Sequence, residues 1–140
     1  MSKSLGNYYT LRDLVAKGLV DIMFANENEI LALMEVEDFE TAVAAAAAQV
    51  PVLVVTRSEK GAIAIANGER VACGAEPIEK VVDTTGAGDL FAAGFLTGHA
   101  RGETLERCLT MGAVCAAEVI SHYGARPEAD LKALVAAKLG

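Results

Sequence analysis

The sequence predicts an α/β fold built in layers, with a mainly parallel sheet and flanking helices. Strand-like and helix-like stretches alternate in the order β-α-β-β-α-α after a first short helix, and this alternation is typical of a sheet covered by helices. The 140 residues are 53% hydrophobic, so the chain can bury a substantial core as one domain. We find no internal repeat and no linker.

The first part of the chain supplies two strands and the helices that connect them. We expect a short helix over 10–18, a strand over 20–26, helices over 27–35 and 36–49, and a strand over 50–56. Thr10 is a typical helix cap and Gly18 a typical helix end. The strand "VPVLVVT" is the clearest in the sequence, because it is rich in β-branched residues and bounded by Pro51.

The second part begins with a predicted hairpin and continues with helices. In "GAIAIANGERVACG" (61–74), Asn67-Gly68 is a dipeptide that favours a tight hairpin turn. We expect three helices after it, over about 87–101, 103–122 and 128–139. The order of elements therefore stays α/β along the whole chain.

Composition and charge exclude several classes of protein. The formal net charge is −7, which argues against a nucleic-acid binder, since neutralising phosphates needs clustered Lys and Arg. No apolar run is long enough to span a bilayer, and the start does not resemble a signal peptide. The cysteines Cys73, Cys108 and Cys115 form no metal-type pair. We therefore expect reduced thiols in a cytoplasmic protein without a membrane partner.

The stretch "VVDTTGAGDLFAAGF" (81–95) places two glycines between a strand-like run and an apolar helix. It lacks the Gly-Lys-Ser/Thr of a P-loop. Phe91 occupies the third position of a dinucleotide fingerprint, where a large ring blocks close helix–strand packing. With the P-loop and the dinucleotide fingerprint excluded, the remaining interpretation is an oxyanion site. The backbone N–H groups of residues 86–88 would form it, with Asp89 as general base. The alternative is that Asp89 only complements the helix dipole.

Part of this stretch, "DTTGAGDLFAAGF", resembles the second signature of the PfkB/ribokinase family of carbohydrate and nucleoside kinases. Other segments resemble further family features: "NENE" (26–29) the Asn-x-x-Glu motif, "VTRSEKGA" (55–62) the nucleotide turn, and "AAEVISHYGARPE" (116–128) the helix and loop that close over nucleotide and cation. The resemblance covers about residues 20–138 and implies a partial ribokinase-like fold. Within the family, "EVISHYGARP" is similar to an adenosine-kinase-like or sugar-kinase-like branch.

The resemblance implies a catalytic and a nucleotide-binding set of residues. Asp89 matches the catalytic base, and Gly86, Ala87 and Gly88 match the anion hole. The residues implied to bind the nucleotide are Thr56, Arg57, Ser58 and Gly61, with Val119 and Gly124 in the closing segment. The family usually has glycine where this chain has Ser58, so the backbone is expected to approach the nucleotide less closely there.

The resemblance also implies two cations beside ATP. Asn26 and Glu29 match positions that organise Mg²⁺, mostly through water, and Mg²⁺ does keep several waters and takes few protein ligands. Asp83 and Thr85 match positions that bind K⁺. Weaker candidates for K⁺ are the loop carbonyls near Val119, His122 and Gly124. Asn26 is also placed to cap the helix after its strand, and this structural role is compatible with the functional one.

The first 18 residues, "MSKSLGNYYTLRDLVAKG", resemble a different family. They are similar to the Lys-Met-Ser-Lys-Ser loop and the following helix of class I aminoacyl-tRNA synthetases, the cysteinyl type most closely. Lys3 matches the second lysine of that loop, whereas the catalytic histidine motif and zinc cysteines of such synthetases are missing. We therefore expect an engineered or recombined chimera, in which this segment, with its helix over 10–18, precedes a nucleotide-binding kinase half over 19–140.

Two hypotheses about function follow. The first is the ATP-binding portion of a carbohydrate or nucleoside kinase, which transfers the γ-phosphoryl group of ATP to a hydroxyl of a small sugar or nucleoside. It is expected to be weak or inactive alone, because by resemblance most of the acceptor site lies in the other half. The second is a folded chimera without catalytic function. We also expect a homodimer, since half of such a sheet leaves an edge strand or an apolar face open.

Overall fold

A computed structural model of the protein describes residues 10–76, 86–120 and 130–139. Each predicted helix and strand overlaps an element of this structure, which confirms the α/β class. The elements are α1 (Leu11–Ala16), β1 (Ile22–Asn26), α2 (Glu27–Met34), α3 (Phe39–Ala47), β2 (Val52–Thr56), β3 (Ala62–Ala66), β4 (Glu69–Cys73), α4 (Ala87–Ala100), α5 (Leu105–Ile120) and α6 (Leu131–Leu139). A 3-10 turn, Ser58–Lys60, joins β2 to β3.

The four strands form one sheet in the order β1-β2-β3-β4. The predicted parallel pairing holds for β1 and β2, which α2 and α3 separate in sequence. The connections from β2 to β3 and from β3 to β4 are too short for the crossover that parallel strands need, so they join antiparallel strands. The sheet is therefore mixed.

The described part of the chain divides into two compact units. The first contains residues 10–58 and 63–70, and in it α2 and α3 pack against β1 and β2. Fully burying a side chain such as Ile30 or Leu53 contributes about 1.5–3 kcal/mol. The buried core residues of this unit are Val15, Met23, Ile30, Ala42, Val43, Ala46, Val50, Leu53, Val55 and Ile63.

Polar side chains cap the helices of the first unit. Thr10 Oγ1 accepts the backbone N–H of Asp13, and the Asp13 carboxylate accepts the backbone N–H of Thr10, both at 3.1 Å. Asp38 accepts the backbone N–H of Thr41 at 2.8 Å and its hydroxyl at 2.7 Å. These bonds from Thr10 and Thr41 lower the pKa of the Asp13 and Asp38 carboxyls. The predicted cap at Thr10 is confirmed.

An ion pair connects β4 to α3 within the first unit. Arg70 donates from Nη1 and Nη2 to the two carboxylate oxygens of Glu40, at 2.7 Å and 3.0 Å. The hydrogen bond from Arg70 lowers the pKa of the Glu40 carboxyl. Both side chains are largely exposed to solvent, so the pair contributes little to stability.

The second unit contains residues 59–62, 71–76, 86–120 and 130–139 of the described chain. Its core is the contact between α4 and α5, where glycines bring the two backbones together. A Cβ atom at Gly94 would lie 2.6 Å from the Met111 carbonyl oxygen, and one at Gly112 would lie 2.8 Å from the Phe91 carbonyl oxygen. No side chain fits at either position, so this contact fixes how α4 lies on α5.

Replacing Gly94 with alanine is expected to lower the free energy of unfolding by about 1–2 kcal/mol net, because overpacking against the α5 backbone costs up to about 3 kcal/mol. The clash outweighs the gain of about 1 kcal/mol that alanine brings to a helix interior. Urea denaturation of the two proteins measures the difference.

Gly88→Ala is the matched control, because a Cβ at Gly88, also in α4, meets no atom within 4 Å. Its stability should stay unchanged or rise. A Gly94→Ala protein as stable as the Gly88→Ala protein would contradict the described contact.

The three thiols lie in the second unit and are free. Cys108 and Cys115 are buried in α5, and Cys73 is partly buried at the end of β4. Burial raises the pKa of each thiol. These cysteines are therefore mostly protonated near neutral pH.

The last helix, α6, packs against α5. Lys138 pairs with Glu76 at 3.2 Å. Within the residues described, no helix has both the length and the apolar character needed to cross a bilayer.

Candidate functional site

Several of the predicted site residues meet at one edge of the first unit, where β1 and β2 end. Asn26 is the last residue of β1, Thr56 is the last residue of β2, and the two are partners in the parallel ladder. Arg57 and Ser58 follow directly. In α/β folds, ligands bind beyond the carboxyl ends of parallel strands, so this edge is a candidate binding surface.

Asn26 and Glu29 form a reciprocal cap at the start of α2. Asn26 Oδ1 accepts the backbone N–H of Glu29, and Glu29 Oε1 accepts the backbone N–H of Asn26, both at 2.8 Å. The predicted capping role of Asn26 is confirmed. Both side chains are exposed, and Glu29 Oε2 lies outside the cap. A carboxylate oxygen outside the cap on an exposed residue suits an ion that is bound mostly through water.

No group of three or more His, Cys, Asp or Glu residues within the described ranges is arranged to hold a metal ion. A cation at Asn26 and Glu29 would therefore need water and ligand oxygens to complete its coordination. Mg²⁺ bound with a nucleotide has this requirement, because it takes one or two carboxylates together with phosphate oxygens.

The Arg57 side chain contacts protein groups that the sequence analysis did not identify. Its Nη2 lies 3.1 Å from Glu27 Oε2, and its Cζ lies 3.9 Å from the centre of the Phe39 ring. The side chain is 24% exposed, and its buried Nε has no hydrogen-bond partner among the described residues. In the sequence, the only sign of the Arg57–Glu27 ion pair is the acidic residue directly after Asn26. That sign does not show that Arg57 is the partner.

The turn after β2 has two residues with positive φ. Ser58 has φ +52°, a conformation that glycine adopts without strain and other residues adopt at a cost of about 1–2 kcal/mol. This explains physically why a glycine suits the position that Ser58 occupies. Gly61, in the second unit, has φ +93°, and a Cβ there would lie 1.9 Å from the Cys73 carbonyl oxygen. The turn can therefore have its described path only with glycine at position 61.

The predicted oxyanion site lies at the start of α4 in the second unit. Gly86 is the N-cap residue with φ +80°, and no side chain caps the helix. The N–H groups of the first helical turn, Ala87 to Asp89, precede the first intrahelical bond, from Leu90 to the Gly86 carbonyl at 3.0 Å. Asp89 is exposed in this turn. The geometry is compatible with a general base and with a helix-dipole role alike.

The remaining predicted residues divide between buried and undescribed positions. Val119 is fully buried near the end of α5, and its predicted contacts with nucleotide and K⁺ stay predictions. Asp83, Thr85, His122 and Gly124 lie outside the described residues, and their predicted roles stay predictions.

Comparison with known proteins identifies one family. The sequence profile of the pfkB family carbohydrate kinases matches residues 6–131. This range begins inside the segment that resembles a synthetase, and the predicted boundary between Gly18 and Leu19 stays a prediction.

Individual relatives are kinases of sugars and nucleosides. The chain is 39% identical over 117 residues to cytidine kinase of Thermococcus kodakarensis, covering 81% of this chain and 41% of the relative. The crystal structure of a probable sugar kinase from Rhizobium etli shares 46% identity with a TM-score of 0.87, over 91% of this chain and 39% of that one. Ribokinase of Arabidopsis thaliana, solved with ribose and ATP, shares 30% identity with a TM-score of 0.77, over 89% and 42%. The chain thus spans about two fifths of the length of these proteins.

Proposed function

Because the chain belongs to the pfkB family of carbohydrate kinases, we propose that it is the ATP-binding portion of a sugar or nucleoside kinase. In this proposal the complete kinase transfers the γ-phosphoryl group of ATP to a hydroxyl of a small sugar or nucleoside. The observation that carries the proposal is the start of α4, where uncapped N–H groups and the exposed Asp89 share one turn. The ATP in the ribokinase structure of A. thaliana supports the same ligand here.

In the second unit, the backbone N–H groups of Gly86, Ala87 and Gly88 are proposed to bind oxygens of the transferred phosphoryl group. Such preorganised donors stabilise the charge of the transition state without reorganising. Asp89 is proposed to accept the proton of the attacking hydroxyl, which is worth about 10²–10⁴ in rate. An uncapped helix start suits this role, because a capping side chain would occupy the N–H groups that the phosphoryl group needs.

In the first unit, Asn26 and Glu29 are proposed to hold Mg²⁺, mostly through water. An ion held there would supply positive charge to offset the charge of the ATP phosphates. Thr56 and Ser58, at the end of β2, are proposed to contact the nucleotide, and Gly61 in the second unit keeps the turn on its described path. Asp83 and Thr85 are proposed to bind K⁺, with the loop carbonyls near Val119, His122 and Gly124 as weaker candidates.

We expect the chain to bind Mg-ATP weakly, with half-saturation in the millimolar range, since only part of a kinase is present to contact it. Isothermal titration calorimetry measures the affinity. NMR should show shifts of the amides of residues 86–89, in the second unit, in the same titration. The absence of both heat and amide shifts at millimolar Mg-ATP would refute the proposal.

Asp89→Asn is the matched control for this titration. A general base faces the acceptor hydroxyl, and its negative charge repels the phosphates. The variant should therefore bind Mg-ATP at least as tightly as the parent chain. Loss of ATP binding in Asp89→Asn would show that Asp89 supports the nucleotide or the helix, rather than acting as a base.

The alternative function is a folded chimera without catalytic activity, and the same titration separates the two, because such a chimera gives no response to Mg-ATP. We also propose that the chain forms a homodimer in a cytoplasmic setting. The position of β1 at one end of the strand order supports this, since its outer edge has no neighbour among the described strands.

A further inference from the structure

Arg57 connects the two strand ends at the candidate binding edge. It follows Thr56, the last residue of β2, and pairs with Glu27, the first residue of α2. Glu27 lies directly after Asn26 and two residues before Glu29. We propose that Arg57 is a positioning residue, which holds the start of α2 and with it the Asn26–Glu29 cap in one orientation. The expected effect of Arg57 on Mg-ATP binding rests on the proposed function.

The Arg57 guanidinium uses its edge and its face at the same time. Along its edge, Nη2 meets Glu27 Oε2 at 3.1 Å. Over its face lies the ring of Phe39, the first residue of α3, 3.9 Å from Cζ to the ring centre. One planar group therefore touches the starts of two helices from the end of a strand. A lysine ammonium has no planar face and edge to do both.

The burial of this cluster favours positioning over direct contact with a nucleotide. Arg57 is 24% and Glu27 31% exposed, whereas Asn26 and Glu29 are exposed. Nη2 and the planar face of Arg57 are thus occupied by Glu27 and Phe39, and the exposed Asn26 and Glu29 beside it stay available to a ligand. At 31% exposure the Glu27 carboxylate gains only modest stability from its cation, so the main effect of the pair is to orient the start of α2.

The primary variant is Arg57→Lys, which keeps the charge and removes the planar group. The matched control is Arg70→Lys, because Arg70 forms the other arginine–glutamate pair of the first unit, with Glu40. Glu27→Gln removes the partner instead. If Arg57 acts through Glu27, the double variant should show no larger effect than either single one.

The first readout needs no nucleotide. Amide hydrogen exchange by NMR follows the N–H groups of Asn26 and Glu29, which donate within the cap. Glu27→Gln, which removes the ion pair, should speed exchange at these amides about fivefold. Arg57→Lys should also speed it, because an ammonium cannot keep the Glu27 contact and the Phe39 contact together. Arg70→Lys should leave them unchanged. Unchanged exchange in Arg57→Lys would overturn the proposal.

The second readout compares ATP binding with Mg²⁺ and with EDTA. Arg57→Lys should weaken Mg-ATP binding about tenfold, as residues that orient metal ligands do, while ATP binding in EDTA stays within about twofold of the parent. Equal weakening in both conditions would show direct contact of Arg57 with the nucleotide and overturn the positioning role. If the parent binds no ATP, the proposed function fails, and the exchange readout alone decides the role of Arg57.

Discussion

The chain alone is expected to form ADP from Mg-ATP far more slowly than the roughly 1–100 s⁻¹ of kinases, with sugars or nucleosides present. Phosphoryl transfer depends on positioning, and lost orientation alone can remove about 7–11 kcal/mol of barrier reduction. The chain spans 41% of the cytidine kinase that it resembles, so it can supply only part of that positioning. An enzyme-coupled assay of ADP formation measures the rate.

Asp89→Asn gives the control for this rate. If Asp89 is the general base, the residual rate should fall by about 10²–10⁴ in the variant. A parent rate within the kinase range that is lost in Asp89→Asn would show that the chain is catalytically sufficient. A slow rate that Asp89→Asn leaves unchanged would show that the residual reaction does not use the α4 start.

Replacing Gly61 with alanine is expected to lower the free energy of unfolding by about 3 kcal/mol or more. The φ of +93° costs an alanine about 1–2 kcal/mol. The added Cβ would also lie 1.9 Å from the Cys73 carbonyl oxygen, and relieving such an overlap costs about 1–3 kcal/mol. Thermal and urea denaturation measure the change, and weaker Mg-ATP binding should accompany it if the turn contacts the nucleotide.

Gly68→Ala separates the cost of backbone strain from the cost of the steric clash that a Cβ makes at position 61. Gly68 also has a positive φ, +78°, but a Cβ there meets no atom within 4 Å. Its replacement should cost only the strain of about 1–2 kcal/mol. Equal destabilisation by the two substitutions would show that the Cys73 carbonyl moves away at no cost, against the described geometry.

Local signals in the sequence predicted the elements well. The Asn67-Gly68 turn is confirmed, with φ of +52° and +78°, because a two-residue hairpin requires positive φ at both positions and few dipeptides tolerate it. The caps at Thr10 and Asn26 are confirmed for a similar reason. In each case the chemistry lies within four residues of chain, where a sequence pattern is informative.

Contacts between distant segments could not be predicted in the same way. The nucleotide-binding role of Arg57 stays a prediction, but the sequence did not predict that its side chain pairs with Glu27, 30 residues earlier, and lies over Phe39. Which cation meets which carboxylate depends on strand register and helix orientation, and neither is encoded in a short motif. The same limit applies to the mixed sheet, since pairing partners follow from the path of the whole chain. The predicted roles of Asp83, Thr85, His122 and Gly124 concern residues outside the described ranges.

The cysteines of the second unit can report local opening of the fold through their reaction with alkylating agents. Only the thiolate reacts with alkylating agents, and burial raises the pKa of Cys73, Cys108 and Cys115. Alkylation of the buried Cys108 and Cys115 must therefore wait for local opening, and its rate measures how often their segments open. Cys108 and Cys115 report on two successive parts of α5, and the partly buried Cys73 at the end of β4 is the more accessible reference thiol. The native sequence thus allows the stability of these segments to be compared by mass spectrometry without any introduced label site.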